Sequence, residues 1–295
     1  MARTMKKSAT ERVGDVMIYV VLFFCMLITL YPFWHVLMYS LSDSKRAMEG
    51  GFFLWPRGLS LLQYKLVLQS RAIVVSYGNS LFRTVVGSAT NILLTATLAY
   101  PLSRRRLAGR NALAMIIFFT MLFNGGMIPT YILVRSLGLL DTRWALILPS
   151  AISAYNMFIM RNFFQGIPAS LEESANIDGA TPLRTLFSII LPVSKPVIAA
   201  ITLFYAVVHW NAFFDAVLYI DNVDKQVLQV LLRAMLQTGA LDQLAGIDQY
   251  EDVGALTEVS VRMTIISISV IPLLVVYPFL QRHYVKGIMI GSIKG

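Results

Sequence analysis

Residues 170–192, SLEESANIDGATPLRTLFSIILP, form a polar island in an otherwise apolar chain. They read as two short helices joined at a glycine. Ser170 is placed to cap the first helix, and Glu173 at the third helical position completes a capping box. Gly179 supplies the permissive backbone where that helix ends and the chain turns. Thr181 caps the second helix, with Pro182 at its first position, where a missing N–H costs nothing. Pro192 and Pro196 close the unit and restart the chain as a membrane helix. A helix–turn–helix specified this closely, lying between two apolar spans, predicts a rigid surface for another protein to grip.

The rest of the composition supports the membrane reading. Of 295 residues, 57% are hydrophobic and only 14% charged, with a mean hydropathy of +0.66. A soluble domain could not hide that much apolar surface, so the bilayer is the expected solvent. Six segments are long enough to span as helices: about 16–41, 79–103, 111–134, 144–164, 196–220 and 261–279. The expected fold is therefore an all-α integral membrane protein. It forms one transmembrane domain over 1–295, with the polar loop at 165–192. Alternating barrel strands are not seen, and the first span is too long for a signal peptide.

Basic residues orient the spans. Arg3, Lys6, Lys7 and Arg12 precede the first, Arg104, Arg105, Arg106 and Arg110 follow the second, and Arg282, Lys286 and Lys294 end the chain. With six spans all of these lie on one side, together with the polar island, so that side is the cytoplasm and both termini are cytoplasmic. The net charge of +9 is read as topology signal and contact with anionic lipid, not as a nucleic-acid surface. The outer loop 221–260 is acidic by contrast. Residues 225–236 carry an amphipathic helical pattern there.

Enzymatic constellations are missing. The chain has no G-x-x-x-x-G-K-[S/T] phosphate loop, so it is not itself an ATPase. It has no nucleophile elbow. Its three histidines, His35, His209 and His283, are too scattered to suggest a metal site, and Cys25 is the single cysteine. No metal and no cofactor are expected in this chain.

The polar island resembles the EAA loop of ABC importer permeases: E-A-A, three residues, G, nine residues, I-x-L-P. Glu173, Ala175, Gly179, Ile189, Leu191 and Pro192 meet the pattern, and Ser174 replaces its middle alanine. The runs HWNAFFDAVLYI (209–220), FNGGMIPTYILVRSLGLLDT (123–142) and YVKGIMIGSIKG (284–295) are similar to the carbohydrate branch of this family, and more narrowly to its LplC- and aldouronate-type sugar permeases. The resemblance implies a type I importer fold of six transmembrane helices with a cytoplasmic coupling helix. It also implies a second homologous permease, two ATPase subunits that bind ATP and Mg, and an extracytoplasmic solute-binding protein. The substrate class implied is an oligosaccharide, with aldouronate, pectin or alginate fragments as acidic examples. On this reading the helix 170–178 seats in a cleft on the ATPase, where Glu172 and Glu173 meet basic or donor groups, and Asp178 and Gly179 end it. The tail 287–295 reaches between the ATPases.

Polar residues inside spans suggest where a sugar passes. Asn211 and Asp215, four apart, are expected on one face of the fifth span, with Trp210 and Phe213 nearby. Tyr155 and Asn156 fall near mid-depth in the fourth. Arg83 and Arg262 are expected to snorkel to the interface. The sequence NGGMIP (124–129) reads either as a hinge or as an early end to the third span. An ion-gradient-driven secondary transporter is the alternative class, resting on Asp215 as an intramembrane carboxylate.

Overall fold

The computed structural model describes residues 9–238 and 257–292. The chain runs through α1 (Ala9–Ser40), α2 (Ser44–Ala47), α3 (Leu62–Gln69), α4 (Arg71–Ser103), α5 (Arg110–Leu122), α6 (Met127–Ser136) and α7 (Ala154–Gln165). It continues through α8 (Ala169–Ile177), α9 (Pro182–Thr185), α10 (Leu191–Val193), α11 (Lys195–Asn211), α12 (Phe214–Tyr219), α13 (Leu228–Thr238) and α14 (Glu258–Ser292). A π-helical turn, Leu186–Ile190, joins α9 to α10. No strand occurs among the described residues.

Three stretches are single helices long and apolar enough to cross a membrane: Arg12–Ser40, Arg71–Ser103 and Glu258–Val275. The other expected spans are interrupted, each for a local reason. In place of a third span at 111–134, α5 and α6 meet at an angle of 114°. Gly126, at φ 88°, and the Asn124 side chain, accepting from the Gly126 N–H at 2.8 Å, shape that turn. A sharp bend between two helices fits both readings of this run, a hinge within one span and a span that ends early. The segment expected at 144–164 is helical only from Ala154, because Pro149 lies in the second of two 3₁₀ turns before it. Ser153 then caps α7 by accepting from the Asn156 N–H.

The fifth segment corrects the sequence reading most. Its helix stops at Asn211, Ala212 turns to extended backbone, and α12 restarts at Phe214. Asn211 and Asp215 therefore do not share a helical face.

The chain divides into two compact units. One comprises α1–α3 with residues up to Ser269 of α14. Its small core is Met38, Tyr39, Ala47 and Phe53. Polar ties replace bulk there: Gln63 Nε2 donates to the Ser40 and Ser42 carbonyls, both at 2.7 Å, and Ser44 bonds Ser260 at 2.7 Å. The most apolar stretch of α1 is wholly uncovered. Phe52 and Trp55 are exposed, whereas Phe53 beside them is buried.

The other unit holds α4–α13. Its main core joins Ala96, Ala99 and Leu102 of α4, Met157, Met160 and Phe164 of α7, and Val197, Ile201 and Tyr205 of α11. Leu186 and Ile190 of the π-helical turn enter the same core. The three helices around it thus share their packing with the segment that leads out of the polar loop. The expected amphipathic helix at 225–236 is α13, which buries Leu228 and Met235 and exposes Leu236.

Candidate functional site

The polar loop is built by local signals. Helix α8 ends in a Schellman arrangement: the Gly179 N–H donates to the Asn176 carbonyl at 3.1 Å and the Ala180 N–H to the Ala175 carbonyl at 2.9 Å. That closure needs a left-handed residue, and Gly179 has φ +74°. Thr181 accepts from the Arg184 N–H, and Pro182 opens α9. At Ser194 the chain turns by 88° between the Pro182–Val193 segment and α11. The segment carrying Ile189, Leu191 and Pro192 therefore lies almost at right angles to the membrane helix that follows it.

The start of α8 differs from the sequence reading. It begins at Ala169 behind Pro168, with no side-chain cap, so Ser170 and Glu173 do not form a capping box. Pro168 has φ −56°, already close to helical, which carries the helix start two residues upstream of the expected one.

The two faces of α8 have different roles. Ala175 is buried, whereas Glu173, Ser174 and Asp178 are exposed and Ile177 is 86% exposed. Leu183 on α9 adds a second exposed apolar side chain. Glu172, expected to point at a partner, instead pairs with Arg104 of its own chain at 2.5 Å. The two side chains are 16% and 19% exposed, respectively. The Arg104 guanidinium also stacks 4.8 Å from the centre of the Tyr100 ring.

A cavity of about 590 Å³ lies in the same unit. Asn91, Tyr155, Asn156, Tyr205 and His209 line it. The Tyr205 hydroxyl bonds Thr95 at 2.8 Å and accepts from the Ser153 N–H at 3.0 Å, which fixes the cavity's rim. Asn91 Nδ2 donates to the Ser150 carbonyl and stands 3.2 Å from His209 Nε2. Asn91 Oδ1 and His209 Nδ1 are buried and have no hydrogen-bond partner among the described residues. Amide, imidazole and phenol groups around an apolar cavity can bond hydroxyls and stack on ring faces.

Of the sequence-derived path residues, Tyr155 and Asn156 line this cavity, and Trp210, Asn211, Phe213 and Asp215 do not. Trp210 is buried edge-on to Tyr77. The Asn211 amide donates back to the Val207 carbonyl at 2.8 Å, and Phe213 lies under the Arg233 guanidinium.

Asp215 pairs with Arg83, a residue the sequence placed at the interface. Arg83 is only 3% exposed. Its Nη1 donates to Asp215 Oδ1 at 3.1 Å and to the Ala212 carbonyl at 3.2 Å, and its Nη2 meets Asp215 Oδ2. The guanidinium thus satisfies both the carboxylate and the carbonyl freed by the break after Asn211, which is how a broken helix is tolerated away from water. Arg262 pairs with Glu258 one turn away. A signal for Arg83 was present, since a charge twelve residues into an apolar helix seldom goes unpaired; its partner, 132 residues distant, was not readable.

These features define a helical membrane protein with an exposed polar helix between two of its membrane segments. Residues 91–290 match the family described as binding-protein-dependent transport system inner membrane component, and the chain belongs to that family. It is 44% identical to Protein LplC of Bacillus subtilis (strain 168) over 99% of this chain and 98% of that one. It is also 44% identical to the polygalacturonan/rhamnogalacturonan transport system permease protein YtcP of the same organism, over 97% and 99%. The fold superposes with a TM-score of 0.87, at 34% identity, on a crystal structure of a bacterial ABC transporter involved in the import of the acidic polysaccharide alginate. That match covers 95% of this chain and 100% of the other. The chain is a non-catalytic permease component of an ABC importer.

Proposed function

We propose that this chain forms half of the translocation path for acidic oligosaccharides in a bacterial cytoplasmic membrane, with both termini cytoplasmic. A second permease of similar design completes the path. Two ATPase subunits, holding ATP and Mg, grip the two coupling helices, and an extracytoplasmic solute-binding protein delivers the sugar. The observation that carries this reading is the polar loop: an exposed face of Glu173, Ile177 and Leu183, followed by a Pro182–Val193 segment that is set at 88° to α11 and sends Leu186 and Ile190 into the core of α4, α7 and α11. Closure of the ATPases would move that loop as a lever and swing the helices around the cavity.

The substrate class draws on the relatives, which transport polygalacturonan or rhamnogalacturonan and alginate. Asp215, on which the gradient-driven alternative rested, is neutralised by Arg83.

The test is ATP hydrolysis by the importer reconstituted in lipid, with its binding protein empty or loaded with oligogalacturonate, alginate oligomers or neutral maltooligosaccharides. Stimulation by the loaded acidic sugars, abolished by Gly179→Asp, is the expected result. Stimulation by maltooligosaccharides alone would overturn the substrate class. Uptake that persists in a preparation with no ATPase would overturn the importer reading.

A further inference from the structure

The residues that follow α4, Arg104, Arg105 and Arg106, would serve equally well as topology signals if that were all they did. The structure treats them differently. Arg105 and Arg106 are exposed, whereas Arg104 is held on two sides. Tyr100, one turn earlier on α4, lies under its guanidinium, and Glu172 in the first turn of α8 pairs with it at 2.5 Å. Next door, Arg161 Nε of α7 donates to the Leu102 carbonyl at 2.9 Å, so the end of α4 is fastened to α7 as well.

Chain connectivity ties α8 only to α7 and, through α9 and α10, to α11. Nothing in the sequence order requires α4 to follow the movement of α8. Yet α4 carries Asn91 at the cavity and, farther along, Arg83 at the break between α11 and α12. Arg83 and Arg104 are 21 residues apart, about 30 Å along a helix.

We propose that the Arg104–Glu172 pair, braced by Tyr100, is an internal clamp that makes α4 move with the coupling helix. Glu172 is thereby a positioning residue within this chain, and Glu173 is the carboxylate left for the ATPase. Through the clamp, a displacement of α8 reaches the cavity wall at Asn91 and the Arg83–Asp215 pair as motion of one rigid rod. The inference rests on the importer reading above.

The experiment is a charge exchange in the complete importer reconstituted in lipid: Arg104→Glu, Glu172→Arg, and both together. Two quantities are read, the ATPase retained on purification and the ratio of hydrolysis with loaded binding protein to hydrolysis without it. Each single variant is expected to keep its ATPases but lose about fivefold or more of that ratio, the lower range for coupling between distant sites. The double exchange is expected to restore it to within about twofold. Rescue by exchange is a result that simple damage to folding would not give.

Single variants that keep the full ratio, or a double exchange that fails to recover it, would overturn the clamp. Loss of the ATPase from Glu172→Arg, with Arg104→Glu unaffected, would return Glu172 to the partner interface and overturn it too. A wild-type assembly that shows no stimulation, alongside an equally unresponsive Gly179→Asp, would instead mark failure of the importer reading beneath it.

Discussion

Gly87 on α4 faces His209 on α11 with no room for a side chain. A Cβ at position 87 would stand 2.7 Å from His209 Nε2 and 2.9 Å from each adjoining ring carbon, where ordinary contact begins at 3.4 Å. The imidazole is 2% exposed and its Nε2 lies 3.2 Å from Asn91 Nδ2. Gly87→Ala must therefore displace the ring by several tenths of an ångström or spread α4 from α11. Overpacking of this kind costs about 1–3 kcal/mol, and loss of the Asn91 contact adds roughly 0.5–1.5 kcal/mol. Thermal stability of the detergent-solubilised complex measures the total, expected at about 1.5–4.5 kcal/mol. His209→Ala in the same background should relieve the clash, so the double variant should be less damaged than the two singles summed, by about 1–3 kcal/mol. Stability of Gly87→Ala within about 0.5 kcal/mol of wild type, or strict additivity in the cycle, would refute the close approach of α4 and α11.

Three further outcomes follow from geometry already described. Asp215→Asn, which leaves the Arg83 charge buried without its counter-ion, should destabilise the complex by about 3–5 kcal/mol, and more than Arg83→Met/Asp215→Leu, in which neither charge remains; thermal denaturation of the pair of variants checks this. Gly179→Ala meets no neighbouring atom, so its cost is backbone strain alone, about 1–2 kcal/mol, with Gly179→Asn milder; the same melts, compared between the two substitutions, read it. Lys225 at 2.8 Å, with the Asn222 N–H, holds the Asp141 carboxyl below its usual 3.8. A depressed carboxylate stabilises the fold fully above its usual value and loses that contribution as pH falls through the lowered one. Wild type and Asp141→Asn should therefore differ in stability at pH 6 and converge on acidification below 3.8.

Much of the polar loop was legible because its signals are local. Gly179, Thr181 and Pro182 act within four residues of where they sit, and each closes or opens its helix through backbone geometry. The same locality misled at Ser170, where Pro168, a signal just as near, set the helix start. Pro149 and the Asn124–Gly126 run announced breaks that a hydropathy window alone smooths into continuous spans. The break at Ala212 was not legible: neither Pro nor Gly marks it, and the group that stabilises it, Arg83, arrives from another helix. Glu172 follows the same rule. Its partner Arg104 lies 68 positions earlier, and only tertiary packing chooses between that arginine and a donor on another subunit. Local chemistry fixed where the helices end, whereas long-range charge pairing decided which side chains remain free to work.

The Arg83–Asp215 pair also bears on how the chain is made. Its members are 132 residues apart, and at roughly 5–20 residues per second the ribosome needs about 7–26 s to travel from one to the other. Through that interval α4 has entered the bilayer with a lone arginine, at an insertion cost of about 2.5–3.5 kcal/mol near a helix centre, covered by its apolar neighbours. A nascent chain halted before Asp215 keeps that exposed charge. The pair can therefore close only after most of the chain has been made.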